Sequence, residues 1–69
     1  MAFLNINGQK KTFSNGLPTS LAKLLEVLKV DQATVVAEIN GSIIKRSDFP
    51  QTSLENGQKI ELIKLVGGG

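Results

Sequence analysis

Thr19-Ser20-Leu21-Ala22-Lys23-Leu24-Leu25-Glu26-Val27-Leu28-Lys29 is the stretch that decides the fold. Leu21, Leu24, Leu25 and Leu28 recur at i, i+3, i+4 and i+7, which places them in one apolar stripe on a helix. Lys23, Glu26 and Lys29 fall off the stripe. Thr19 or Ser20 can cap the first turn by accepting from its free backbone N–H groups. Pro18 stands just ahead, where it stops the helix from extending backward. A helix over 19–29 is therefore expected. One such helix must bury its stripe against something else, and the flanking segments have the alternation of a sheet.

Toward the N-terminus, Ala2, Leu4 and Ile6 alternate with Phe3 and Asn5, the period of a strand with one buried face. Asn7-Gly8 suits the positive φ angles of a tight hairpin, so Gln9 to Phe13 should return as a second strand. Ser14 to Pro18 has turn composition. Beyond the helix, Val35, Ala37 and Ile39 alternate with Val36, Glu38 and Asn40. Asn40-Gly41 is a second hairpin signal, and Ser42 to Lys45 is the short partner strand. Residues 46–54 read as irregular, with Ser47-Asp48 placed to cap a single helical turn that Pro50 closes, and Phe49 as a core plug beneath the loop. Asn56-Gly57 marks another turn, and Lys59 to Val66 is the last strand.

The order is strand, strand, helix, strand, short strand, strand. It predicts an α+β fold, a mixed sheet of four or five strands with one principal helix across one face. By analogy with known folds of this element order, the first and last strands would lie side by side in the middle. A β-grasp, ubiquitin-like arrangement meets that description. Residues 1–66 would form this domain and 67–69 a separate tail.

Composition excludes much. The 69 residues include no Cys, His, Trp or Tyr. There is no thiol nucleophile, no disulfide, no Cys/His metal site and no imidazole base near neutral pH. Titratable chemistry is limited to two Asp, four Glu, seven Lys and one Arg. Asp31 and Asp48 stand alone, without the spacing of a calcium or magnesium loop. A chain this short buries only about 60% of its unfolded surface, enough for one small core. An enzyme is not expected. With 41% hydrophobic residues the chain should nonetheless fold. A net charge of +2, carried in pairs such as Lys10-Lys11 and Lys45-Arg46, makes no nucleic-acid stripe. No apolar run approaches the ~20 residues of a membrane span, and Met1 to Asn5 has no basic region preceding an apolar run. A cytoplasmic location is the expectation.

Gly67-Gly68-Gly69 follows the last strand directly. Glycine loses the most backbone entropy on ordering, so a free tail of this kind should be mobile. Lacking Cβ atoms, it can thread a narrow channel and offer its terminal carboxylate to another enzyme.

This element order with a Gly-Gly ending resembles the ubiquitin-like sulfur carriers, and among them the ThiS family of thiamine biosynthesis. The residues that carry the likeness are 36–46, Val36-Ala37-Glu38-Ile39-Asn40-Gly41-Ser42-Ile43-Ile44-Lys45-Arg46. Next come 54–62, Leu54-Glu55-Asn56-Gly57-Gln58-Lys59-Ile60-Glu61-Leu62, and the ending Val66-Gly67-Gly68-Gly69. One departure is Gln58, where the family often has an acidic residue, and it bears on the hydrogen bonding of that turn.

The resemblance implies a carrier acted on by others. A partner adenylyltransferase, similar to ubiquitin-activating enzymes, would use ATP to place AMP on the Gly69 carboxylate. Sulfur from a cysteine desulfurase route would displace AMP and leave a thiocarboxylate. Thiazole synthase would then take the sulfur into the thiazole of thiamine. The carrier itself would bind no cofactor. The small subunit of molybdopterin synthase is the alternative with the same chemistry, although that family usually runs longer and commonly has prolines shortly before Gly-Gly. A ubiquitin-like protein modifier and a bare interaction module are further alternatives.

Partner recognition should mark the last strand. Ile60 and Leu62 are expected to face the helix, with Glu61, Ile63 and Leu65 pointing away. Two large apolar residues on an outward face suggest a docking patch. Phe3, outward on the adjacent first strand, would extend it.

Overall fold

The computed structural model describes residues 1–65. Strands β1 (Ala2–Ile6) and β2 (Gln9–Phe13) form the first hairpin, and β3 (Val35–Ile39) and β4 (Ser42–Ile44) the second. Helix α1 (Leu21–Val27) lies between them in sequence, and β5 (Lys59–Lys64) comes last. The sheet order is β2-β1-β5-β3-β4, with β1 parallel to β5 and the other neighbours antiparallel. The expected mixed sheet, with first and last strands adjacent in its middle, is what forms.

Seven helical residues fall well below the ~12–15 that an isolated helix needs. Burial holds α1 in place. Leu21, Ala22, Leu24 and Leu25 are buried against Leu4, Val35, Ala37, Ile39 and Ile60 of the sheet. Phe49 plugs one end of this core, as its sequence position suggested. Ser20 is the cap, its hydroxyl accepting from the Lys23 N–H at 3.1 Å. The Leu21 N–H donates to the Thr52 carbonyl at 2.8 Å, which ties the start of the helix to the segment bearing Phe49.

Several boundaries differ from expectation: α1 begins at Leu21 and not Thr19, β4 stops at Ile44 and not Lys45, and β5 runs only to Lys64. Helix α1 ends at Val27, two residues early, because Lys29 takes a left-handed conformation, φ 58°. Its N–H donates to the Glu26 carbonyl at 3.1 Å and the Val30 N–H to the Leu25 carbonyl at 2.9 Å. That pair of bonds is a Schellman stop made without glycine. Residues Arg46–Gln51 form 3-10 turns, and Lys45 stands at their start with no side-chain cap bond. Ser47 and Asp48 thus lie inside the turns they were expected to cap, and Pro50 lies within them too. A brief 3-10 turn, Gln32–Thr34, also precedes β3.

Asparagine side chains replace strand residues where the hairpins turn. Asn7 and Asn40 have φ of 51° and 50°, and each is followed by a positive-φ glycine. The Lys59 N–H donates to Asn40 Oδ1 at 3.0 Å, and the Asn40 N–H to the Lys59 carbonyl at 2.8 Å. On the other side of β5, the Leu62 N–H donates to Asn7 Oδ1 at 2.8 Å. Both hairpins therefore clasp the strand that leads to the C-terminus.

Candidate functional site

Alternation along β5 divides its side chains between two faces. Ile60 is buried and Leu62 packs against the core, while Glu61, Ile63 and Leu65 lie on the outer face. Ile63 is 47% exposed and Leu65 54%. The strand pairing continues past Lys64, because the Leu65 N–H donates to the Thr34 carbonyl at 2.7 Å.

The register supplies neighbours that sequence alone did not assign. Val36 stands opposite Ile63, and Ile43, 69% exposed, stands opposite Glu38. Val36, Ile43 and Leu65 line one shallow depression. Ile63, Val36, Leu65 and Ile43 are thus one apolar patch across β5, β3 and β4. Ile43 could have been found beforehand: Ile43-Ile44 are adjacent in a strand, so one of the two must face outward.

Glu61 borders this patch and stands directly opposite Glu38. Two carboxylates in that relation repel each other. The outer face therefore offers an apolar surface with a negative border, close to where the chain leaves the sheet.

Phe3 is on the same face but in a different place. Asn5 pairs with Lys59 in parallel register, so Phe3 is level with Gly57, six residues before Ile63. At 3.2–3.4 Å per residue this is about 20 Å along the strand. The Phe3 N–H donates to Asn56 Oδ1 at 2.7 Å, and the Gly57 N–H to the Phe3 carbonyl at 2.8 Å. Its ring lies 3.6 Å from where a Cβ on Gly57 would be, and Lys10 Nζ stands 4.5 Å from the ring centre. Phe3 does not extend the Ile63 patch as expected. It packs on the Asn56-Gly57 turn, because parallel pairing offsets the two strands along their length.

That turn also accounts for Gln58. Its Oε1 accepts from the Glu55 N–H at 2.9 Å, so the amide supplies an acceptor oxygen as a carboxylate would. Among the described residues there is no group of three or more side chains able to hold a metal ion. No helix among them is long and apolar enough to cross a membrane. Gly67, Gly68 and Gly69, expected to carry the chemistry, lie outside the described residues, as does the boundary drawn at residue 66.

The profile of the ThiS family matches residues 4–69. The chain belongs to the ThiS family. Its members are small sulfur carriers of thiamine biosynthesis, and the chain shares their β-grasp fold. A crystal structure of the thiamine biosynthesis protein ThiS from Geobacter metallireducens superposes with a TM-score of 0.83 at 34% identity, covering 97% of this chain and 99% of that one. A solution structure of a thiamine biosynthesis protein from the same organism gives 0.78, covering 97% and 87%. Among curated sequences, a thiazole synthase of Paramagnetospirillum magneticum is 35% identical over 66 residues. Those residues are 96% of this chain but 20% of that protein, so the chain spans about a fifth of it. The uncharacterized protein ycf40 of Porphyra purpurea is 33% identical over 96% of this chain and 90% of its own length.

Proposed function

We propose that this chain carries sulfur as a thiocarboxylate on Gly69 and delivers it to thiazole formation in thiamine synthesis. The observation that carries the reading is the open patch of Ile63 and Leu65 on the strand that leads into Gly67-Gly68-Gly69. It joins a recognition surface to a chemically plain end in a member of a sulfur-carrier family.

The chemistry belongs to partners. A ubiquitin-activating-enzyme-like adenylyltransferase docks on the outer face and receives the tail. An oxygen of the Gly69 carboxylate attacks the α-phosphorus of ATP, forming the acyl adenylate and releasing pyrophosphate. A persulfide supplied by a cysteine desulfurase route attacks the acyl carbon and expels AMP. A thiol reductant then cleaves the resulting acyl disulfide, leaving the thiocarboxylate on Gly69 and a disulfide on the donor side. The thiocarboxylate then gives its sulfur to thiazole synthase. The carrier contributes reach, fit and a free carboxylate. The thiazole synthase that contains a segment similar to this chain supports that enzyme as the acceptor.

The test is incubation with ATP and the purified adenylyltransferase, followed by intact-mass measurement. An adenylate mass is expected, and a sulfur-for-oxygen mass after the sulfur donor is added. Deleting Gly69 should leave folding unchanged and abolish both products. The deletion shortens the reach by up to about 3.6 Å, and in-line attack tolerates far less misplacement. Full modification of the deleted chain would overturn the assignment of Gly69. Conjugates to target lysines in cells would favour a protein modifier instead.

A further inference from the structure

β5 is paired on both sides over its first part and on one side only at its end. Its odd-numbered residues turn their backbone groups toward β3, as the bond from Leu65 to Thr34 shows. Its even-numbered residues turn theirs toward β1. The Asn5 N–H donates to the Gln58 carbonyl at 2.9 Å and the Asn7 N–H to the Ile60 carbonyl at 2.9 Å. At Leu62 the neighbouring strand has already turned away through Asn7-Gly8. The Asn7 amide takes the place of the missing residue, Oδ1 accepting from the Leu62 N–H and Nδ2 donating to the Leu62 carbonyl at 3.4 Å. Lys64 is the next residue of this parity. No strand residue among those described pairs with it on the β1 side, since the β1–β5 register ends at Ile6 and Ile60.

A groove opens beside this half-edge. Ile6, Leu28, Val30 and Leu62 line it, all half-buried, with Asn7 and Lys64 at its margin. A neighbouring cleft shares Ile6, Asn7 and Leu28 and adds Lys10 and Lys11. The one ion pair among the described residues is Lys23 with Glu26, so Lys64 has no carboxylate partner there, whereas the Lys10 and Lys11 ammoniums lie over the Phe3 and Phe13 rings. A backbone edge, an apolar slot and the Lys64 ammonium at its margin together fit one kind of occupant: an extended peptide with an aliphatic anchor and an acidic residue beside it.

We propose that thiazole synthase holds this chain by laying such an extended segment along the open half of β5. Its main chain pairs with the N–H and carbonyl of Lys64, and its aliphatic side chain enters the groove between Ile6, Leu28, Val30 and Leu62. The proposal rests on the function proposed above. Thiazole synthase is the occupant because the Paramagnetospirillum magneticum protein of that name carries a segment similar to this chain within its own polypeptide. Gripping β5 on its free side just before the tail would also set the direction in which the thiocarboxylate is presented, where small misplacements are costly.

Two substitutions at one residue isolate the backbone bond. Lys64→Ala and Lys64→Pro both remove the ammonium, but only proline removes the N–H. Because that N–H faces away from β3, the sheet loses no ladder bond. The full chain and each variant would be titrated calorimetrically with the purified thiazole synthase of the same organism, and melting midpoints recorded alongside. Lys64→Pro should bind at least tenfold more weakly than Lys64→Ala. Val30→Glu, which puts a carboxylate in the slot, should also bind at least tenfold more weakly than the unaltered chain, and it decides the matter if Lys64→Pro does not fold. Equal binding by folded Lys64→Pro and Lys64→Ala, or undiminished binding by Val30→Glu, overturns the proposal. An unaltered chain that becomes a thiocarboxylate yet shows no affinity for thiazole synthase overturns it too and leaves the carrier chemistry standing. A chain that is never adenylated removes the function reading itself.

Discussion

On the inner face of β3 and β5, Val35, Ala37, Ile39 and Ile60 are buried beneath α1. On the outer face of the same strands, Val36 and Ile63 stand side by side with Glu38 and Glu61, the two on β3 half-buried and the two on β5 exposed. The two faces share a backbone and a register, so the contrast comes from side chains alone. One face reads as a core that stabilises a small domain. The other leaves apolar groups partly in water and sets two carboxylates against each other, features that add little to folding. Such a division implies that stability and recognition can be altered separately, and substitutions on either face test that.

The largest effect is expected on the inner side. Phe49 is 1% exposed and among the largest fully buried side chains. Phe49→Ala should cost about 3–5 kcal/mol, the usual range for losing a buried aromatic. Folded domains have only about 5–15 kcal/mol in total, and small ones lie toward the low end. Chemical denaturation should show a largely unfolded variant or a midpoint shifted far toward zero denaturant. A shift under about 1 kcal/mol would mean that Phe49 is not a plug and that the core closes without it.

Asn7 joins the two faces, since its amide bonds β5 at the point where β1 turns away. Asn7→Ala loses those bonds, worth about 0.5–1.5 kcal/mol. It also puts an alanine where φ is 51°, at a cost of about 1–2 kcal/mol. Asn7→Gly relieves the second cost and keeps the first. Alanine should therefore be the more destabilising of the two in urea melts. Equal losses would show that the backbone angle carries no strain and that the amide accounts for the whole effect.

These elements also show what was legible in the chain. The leucine stripe, the two hairpins and the parity of β5 follow from periods of 3.6 and 2, which depend only on local geometry. The end of α1 was missed because its left-handed residue is Lys29, and the usual signal is glycine. Phe3 was misplaced for a different reason. Its parity was visible, but its position along β5 depends on the offset of a parallel pair between residues more than fifty apart. Val36 and Ile43 joined the patch through cross-strand register, which alternation within one strand does not contain. The tail's sequence was plain from the start, and its role rests on family membership and composition.

A smaller effect, of opposite sign, is expected from the carboxylate pair. Glu61→Lys turns a facing like-charge pair into an attractive one. Cross-strand pairs of this kind change stability by about 0.2–1 kcal/mol, and exposure of Glu61 puts the gain toward the lower end. The variant should melt slightly higher at low salt, and the gain should shrink as salt screens it. If the border helps orient a cationic partner surface, association with the adenylyltransferase should weaken in the same variant. A gain in both properties would remove Glu61 from the docking face.

A comparably small stability change is expected at Ile63, where the contrast between faces is sharpest. Ile63 is 47% exposed, so replacing it leaves no cavity in the core. Ile63→Lys gives up some contact with Val36, a cross-strand pair worth about 0.2–1 kcal/mol. It places an ammonium near Glu61 and Glu38, which offsets part of that loss. The melting midpoint should therefore move by less than about 1 kcal/mol in equivalent stability. Association is another matter. In a docked complex this position is desolvated, and an unpaired charge buried at an interface typically costs several kcal/mol. Binding to the adenylyltransferase should fall at least tenfold, with adenylate formation slowed at subsaturating enzyme and restored when enzyme is raised. That recovery separates weakened docking from a damaged tail, because deletion of Gly69 would fail at every enzyme concentration. A variant that unfolds, while its folded fraction binds normally, would assign Ile63 to the core and erase the distinction between the faces.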